Sequence, residues 1–316
     1  MQDTQFDQKP SEVQQGAEKA GTGKNGKGKK PPKPLWREIL EWILTIVVAL
    51  AAALVIRTFL FEPVRVDGAS MNDTLADGEV MYVSKTGYSS FWLSLPWASA
   101  EAQEASTKLT FFGNPARFDV VICRYPHRGG TNFVKRVVGL PGDRVSIRDG
   151  YLYVNGDRYE EPYINDEYRT GFYRNFDEVL VPKAGDTIRL TDSGMLLING
   201  AEDTYGLTRV TAVSGSDTLV LTGSSAGIQA ELNGKAVTLR SGVWYLDGEA
   251  QEGNPMDRDF TVSADYFFVM GDHRNNSNDS RMQGAIERSY VIGRVCQVLL
   301  PFRNWRGIPN GLDVQE

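Results

Sequence analysis

The stretch "GDRVSIRDGYLYVNGD", Gly142–Asp157, decides how the body of this chain folds. Val145 and Ile147 alternate with Arg144, Ser146 and Arg148, the period-two pattern of a half-buried strand. Asp149-Gly150 then interrupts, a second apolar run follows at Tyr151–Val154, and Asn155-Gly156 closes it. Asp-Gly and Asn-Gly accept the positive φ that tight hairpin turns require. Related patterns are "GDTIRLTDSGMLLINGA" from Gly185 and "GKAVTLRSGVWYLDGE" from Gly234, so that successive starts are 43 and 49 positions apart. Each predicts a hairpin followed by a second tight turn. They read either as an internal repeat or as independent hairpins sharing the same turn chemistry.

Outward from these hairpins the pattern stays β. "VRVDG", "VMYVSK", "FDVVICRYP", "NFVKRVVGL" and "YFFVMGD" are short runs of Val, Ile, Tyr and Phe punctuated by Gly, Pro and Asp. No amphipathic helix of ordinary length interrupts them. The fold class expected is mainly β, with a catalytic body over 63–154 and 264–303. A β-rich second lobe over 155–263 is inserted into it, and 304–316 forms a C-terminal tail.

The N-terminus differs. Positions 1–35 are rich in Gln, Lys, Gly and Pro, without apolar periodicity, and predict a disordered basic tail. Positions 36–62 follow, with an unbroken apolar run from Trp42 to Ile56. With Arg57 snorkelling, Trp42 to Phe61 matches the ~20 residues that cross a hydrocarbon core as a helix. Trp36 and Trp42 suit one interface, Phe59 and Phe61 the other. The lysines before the segment put the N-terminus in the cytoplasm and the domain after Pro63 outside. An uncleaved single-pass anchor is expected: the apolar core is longer than that of a cleaved leader and runs straight into the domain.

The chain has 316 residues and a formal net charge of −6, yet eight of its Lys and Arg lie within the first 37 positions. The remainder is acidic, which argues against a nucleic-acid-binding body. Cys123 and Cys296 are too far apart for a metal-site spacing and read as two free thiols, a single disulfide being the other reading. His127 and His273 are isolated, so no structural zinc site and no metal or cofactor is expected.

Three patches carry polar residues in apolar surroundings. In "NFVKRVVGLPGD", Lys135 falls between Phe133 and Val137 on one face of a strand. Burial there disfavours the ammonium and lowers its pKa below the usual ~10.4, which makes a general base; on an edge strand the same side chain would simply reach solvent. In "VDGASMNDTL", Ser70 sits in a turn opened by Gly68. With only two histidines in the chain, a Ser–Lys pair is a workable variant of triad chemistry. The third patch, "VMGDHRNNSNDSRMQGAI", packs charged and amide residues directly after an apolar strand.

These three patches, in this order and behind an apolar N-terminal segment, resemble bacterial type I signal peptidases. "VDGASMNDTL" resembles the family's nucleophile box, "RFDVVICRYP" its following strand, "VKRVVGLPGDRV" its lysine box and "GDHRNNSNDSR" its Gly-Asp box, over about 40–155 and 264–300. The resemblance implies a plasma-membrane serine endopeptidase that removes signal peptides from exported preproteins without a metal. Ser70 would be the nucleophile and Lys135 the general base. Ser277 would orient Lys135, while Asp279, Arg281, Arg136 and Asp272 form an ionic network. Backbone N–H groups of Ser70 and Gly68 would form the oxyanion hole. Val64, Val66, Met71, Leu75, Phe133 and Val134 would wall pockets for small side chains. The partners implied are signal peptides, membrane lipid and an export translocon, with no nucleic acid.

The sequence departs from the family pattern in places. Asp73 replaces a common proline, Gly68 stands where some members carry a serine hydroxyl, and His273 replaces a common Asn. A histidine there invites a Ser–His reading, but the relatives that use histidine place it where Lys135 stands. Soluble Ser/Lys self-cleaving repressors need an N-terminal DNA-binding domain, which the apolar segment displaces. A catalytically inactive anchored β scaffold is the other class. "SSFWLSLPWASA", Ser89 to Ala100, reads either as a membrane-dipping loop, through Phe91, Trp92, Leu95 and Trp97, or as a loop folded on the core; "PFRNWRG", Pro301–Gly307, is a weaker interfacial candidate.

Overall fold

The computed structural model describes residues 34–92, 108–111, 113–125, 131–171, 174–224 and 227–311. Positions 1–33 of the expected basic tail, Leu95, Trp97 and the last five residues lie outside them, while Leu35, placed in that tail, begins the helix.

Leu35–Phe59 is one α-helix of 25 residues, about 37 Å long at ~1.5 Å per residue. Its described apolar side chains are exposed on every face, including Trp36, Trp42 and Leu50. Among the described residues no helix is long and apolar enough to cross a membrane. Arg37, Glu38 and Glu41 charge the first turns, and the apolar run beyond them passes through Leu54, whose side chain is outside the described set.

Residues 51–316 form one compact unit, mainly β. An eight-stranded antiparallel sheet carries the catalytic boxes. Its order is Phe61–Arg65, Val80–Ser84, Val291–Leu300, Val120–Arg124, Asn132–Gly139, Tyr266–Met270 and Ile286–Glu287, with Arg306–Gly307 also paired to Val291–Leu300. Asn132–Gly139 is central, between Val120–Arg124 and Tyr266–Met270, and residues 135–139 at its C-terminal end are buried. Central strands covered on both faces read as continuous apolar runs rather than alternating ones, which "VVIC" and "YFFVM" do.

Arg144–Arg148 and Tyr151–Val154 pair as the hairpin expected from the opening stretch, within a four-stranded sheet. A ten-stranded sheet holds the hairpins that start near Gly185 and Gly234. The region 155–263 shares one apolar cluster with the catalytic boxes: Phe118, Val138 and Phe268 pack in the same core as Val210, Leu219 and Phe260.

The repeat has a sharper form than strand alternation. Asn155, at φ 55, donates Nδ2 to Asp143 at 2.8 Å, and its Oδ1 accepts the Arg144 N–H at 2.9 Å. Asn199 does the same with Asp186 at 3.0 Å and Thr187 at 2.9 Å. The third copy is Asn233, on Asp217 at 2.7 Å and Thr218 at 2.8 Å, and it closes the hairpin 217–232. In the hairpin that begins near Gly234 the equivalent residue is Asp247, which takes the same left-handed φ of 52 but has no amide to donate. An asparagine tolerates that backbone region and satisfies a carboxylate and a peptide N–H together. The repeated unit is thus an Asp–Asn clasp closing a hairpin, and its third member lies one hairpin earlier than strand alternation suggested.

Candidate active site

Lys135 stands in the middle of the eight-stranded sheet, opposite Val121. It is 2% exposed. Its Nζ lies 2.7 Å from Ser70 Oγ and 2.9 Å from the Val134 carbonyl oxygen. Burial pulls its pKa below 10.5; the nearby Asp279 and Asp272 carboxylates oppose that shift without cancelling it. A neutral amine at this distance accepts the hydroxyl proton of Ser70, whereas an ammonium donates to it. Burial also pushes the Cys123 thiol up to about 12, so it stays protonated beside the amine.

Ser70 opens the turn Ser70–Thr74, which follows the edge strand Phe61–Arg65. Gly68 has a φ of 95, a backbone region that suits glycine. Its N–H donates to Asp77 Oδ1 at 2.9 Å, so it is not free to meet a second oxygen; the expected oxyanion role of Gly68 is not available in this arrangement. Among the described residues, the Ser70 N–H meets no protein acceptor. Asp73 has a φ of 76. Proline is locked near −65°, so the turn here has a course that the family's usual residue cannot follow.

The ionic residues include two buried pairs, which the Gly-Asp loop joins through Arg274 and Gly271. Arg136 and Asp272 are wholly buried and meet at 2.8 Å, with a second contact through Nε at 3.0 Å. Arg136 also donates to the carbonyls of Phe118 and Pro309, and Asp272 accepts the Thr74 hydroxyl at 2.6 Å. The lysine strand, the Gly-Asp loop and the nucleophile turn are tied at that point. Arg281 grips Asp279 through two bonds of 2.8 Å. Burial by itself would raise the Asp279 pKa, but the Arg281 guanidinium and the Gly271 N–H outweigh it and hold the carboxyl below 3.8.

Ser277 does not make its expected bond to Lys135: its Oγ is buried with no partner in good hydrogen-bond geometry, and the acceptor it serves is the Asp279 carboxylate, which it helps hold low. It packs instead against Gly271. A Cβ on Gly271 would overlap both Ser277 and the Ser70 carbonyl oxygen, so the glycine is what lets the loop approach the nucleophile turn.

Among the expected pocket residues, Val66, Met71 and Leu75 share one cluster with Val64 and Val134. Met71 and Leu75 are almost fully buried and form a floor, while Val64 and Val134 keep partial exposure. Phe133 packs in a neighbouring cluster, its ring 5.8 Å below the Lys135 amine.

Sequence reasoning missed several contacts. Glu161, buried, pairs with Arg274 and, at 3.3 Å, with Arg169. Arg274 in turn donates to the Gly271 carbonyl at 3.1 Å. Thr74 and Asp77 serve the nucleophile turn as described. His273, which invites a Ser–His reading, has its Nδ1 3.0 Å from the Ala69 carbonyl oxygen and its ring stacked on Tyr168, with centroids 3.8 Å apart. The only prior signal for these contacts was polarity at positions near the boxes. Among the described residues no group of His, Cys, Asp or Glu is placed to hold a metal ion.

The model of the signal peptidase, peptidase S26, family matches residues 39–300. The chain belongs to this family. Signal peptidase I P of Bacillus subtilis subsp. natto is 38% identical over 127 residues, which cover 40% of this chain and 56% of that protein. The match thus spans little more than half of that relative. Signal peptidase I of Pseudomonas aeruginosa is 29% identical over 285 residues, covering 86% of this chain and 77% of that protein. A crystal structure of a signal peptidase I from Enterococcus faecalis covers 58% of this chain at 20% identity and a TM-score of 0.28, too low to compare the folds in detail. Family membership agrees with a mainly β body behind an N-terminal helix.

Proposed function

We propose that this chain is a membrane-anchored serine endopeptidase that removes N-terminal signal peptides from exported preproteins, with Ser70 as nucleophile and Lys135 as general base. The observation that carries the reading is the buried Lys135 amine 2.7 Å from Ser70 Oγ. Membership of the family, and relatives named signal peptidase I, support the substrate class.

The neutral amine takes the Ser70 proton as Oγ attacks the scissile carbonyl. Negative charge grows on the substrate oxygen, and the unengaged Ser70 N–H is the donor at hand for it. The Lys135 ammonium then returns its proton to the leaving amine. An acyl-enzyme remains, and a water deprotonated by Lys135 releases the signal peptide. Small residues before the scissile bond suit the shallow surface left by the half-exposed Val64 and Val134 over the buried Val66, Met71 and Leu75. Extended substrate would pair with the exposed edge of Phe61–Arg65.

The anchor, the cytoplasmic N-terminus, the outside position of the β body, and membrane lipid and an export translocon as partners belong to the same proposal. They rest on the apolar helix, exposed all round, and on the lysines before it. The insertion of 155–263 between the catalytic segments belongs to the same proposal and rests on the order of the boxes along the chain. Ser70→Ala and Lys135→Ala, each purified in detergent with an unchanged melting profile, are expected to lose preprotein cleavage. Substantial cleavage by either variant sinks the dyad, and no cleavage by the wild-type protein favours the inactive scaffold.

A further inference from the structure

We infer that His273 is a positioning residue for the oxyanion donor: it pins the peptide plane between Ala69 and Ser70, so that the Ser70 N–H faces the reacting carbonyl. The inference rests on the reading of Ser70 as nucleophile.

The argument starts from the peptide unit. The bond between Ala69 and Ser70 is planar, and in a trans unit its C=O and N–H point in opposite directions. Holding the carbonyl therefore fixes where the N–H points. The Ala69 carbonyl oxygen accepts from His273 Nδ1 at 3.0 Å and from the Asn72 N–H at 3.1 Å. At the other end, the Ser70 N–H meets no protein acceptor among the described residues. The next plane is held too, since the His273 N–H donates to the Ser70 carbonyl at 3.1 Å. One residue thus grips both peptide planes that flank the nucleophile.

Because a carbonyl only accepts, Nδ1 carries the hydrogen in this contact. That assignment removes Nδ1 from base chemistry and leaves Lys135 alone at Ser70 Oγ. Donation to the Ala69 carbonyl also polarises the shared amide, which strengthens the Ser70 N–H as a donor.

The ring is held in turn. It stacks on Tyr168, with centroids 3.8 Å apart and planes 26° apart. Tyr168 lies in the short 3-10 helix Asp166–Arg169, which Asn165 caps. Arg169 anchors that helix to the buried Glu161, and Glu161 also binds Arg274, the residue after His273. The segment 161–169 thereby sets the orientation of the ring.

The test compares His273→Leu, His273→Asn and His273→Gln in the full chain, purified in detergent, with a preprotein substrate. Losing one oxyanion donor outright costs about 10²–10³-fold in kcat, and loosening its aim is expected to cost about 10–10²-fold in His273→Leu, with KM within about twofold. Asn places its amide where Nδ1 sits, so His273→Asn recovers most of that loss. Gln carries its amide one bond further out and does not. The acid limb of the kcat–pH profile stays put in all three, because Lys135 sets it.

Wild-type kcat in a folded His273→Leu overturns the inference, as does a Gln variant equal to Asn. A displaced acid limb would make His273 the base and overturn it as well. If His273→Leu fails to melt cooperatively, the Asn–Gln comparison decides. Wild-type cleavage with unaffected variants refutes this inference alone, whereas no cleavage by the wild type refutes the proposed function and the inference together.

Discussion

Gly271→Ala probes the coupling between the Gly-Asp loop and the nucleophile. A Cβ at Gly271 would lie 2.6 Å from Ser277 Cβ and inside contact distance of the Ser70 carbonyl oxygen. Carbon–carbon contacts settle near ~3.5 Å, so roughly 0.9 Å of overlap must be relieved. The loop cannot yield freely: the Gly271 N–H is held by Asp279 at 3.0 Å and its carbonyl by Arg274. The Ser70 carbonyl is a backbone atom bound to the His273 N–H, so relief moves the nucleophile itself. Overpacking of this kind costs about 1–3 kcal/mol. A displacement near ~1 Å at a reacting group costs about 10²-fold in rate. The expected variant is folded, melts some degrees lower and cleaves preprotein about 10²-fold more slowly in kcat. Steady-state cleavage in detergent, alongside a thermal melt, measures both. A folded variant with kcat within about threefold of wild type refutes the reasoning, because the loop would then have absorbed the methyl without moving Ser70.

Lys135 titrates below 10.5 in the native state, so cleavage is expected to rise with pH through that lowered value as the neutral amine forms. The sign for stability follows from proton counts. Between the lowered native pKa and 10.5 the unfolded chain binds more protons, so stability rises with pH across that window. Lys135→Met removes this dependence; it should exceed wild type in stability at neutral pH by a margin that closes towards pH 10.5. Melting series that run parallel contradict a buried, depressed lysine. At the Arg136–Asp272 pair, Asp272→Leu leaves a fully buried guanidinium without its carboxylate and should cost about 3–5 kcal/mol in urea unfolding. Arg136→Met with Asp272→Leu should cost clearly less than the two single changes summed, and simple additivity would refute the pairing.

The hairpins were legible because their determinants are local. Val145, Ile147, Leu152 and Val154 alternate as a strand pair must, and Asn155 and Asn199 sit at turns whose positive φ they tolerate. The Asp–Asn clasp was also within reach, since Asp143 and Asp186 stand 12 and 13 positions before their asparagines. Apolar strand alternation alone, however, points to the hairpin at Gly234 rather than the one at Asp217. Polar residues in apolar strands marked the catalytic patches and the histidine count suggested a Ser–Lys pair, but the resemblance made them specific; Ser70 read by itself is a serine in a turn.

Strand alternation and turn chemistry thus determine the mainly β body, and the residue types at Ser70 and Lys135 permit a dyad. Whether those residues meet is a tertiary matter. Lys135 becomes a base because the strands on either side exclude water from it and bring Ser70, 65 positions away, to its amine. Distance in sequence likewise left Ser277 apart from the lysine and joined Glu161 to Arg274, 113 positions on. Dihedral preference acts between neighbours in the chain, whereas desolvation and ion pairing act between neighbours in space, and only the packed sheet makes those neighbours.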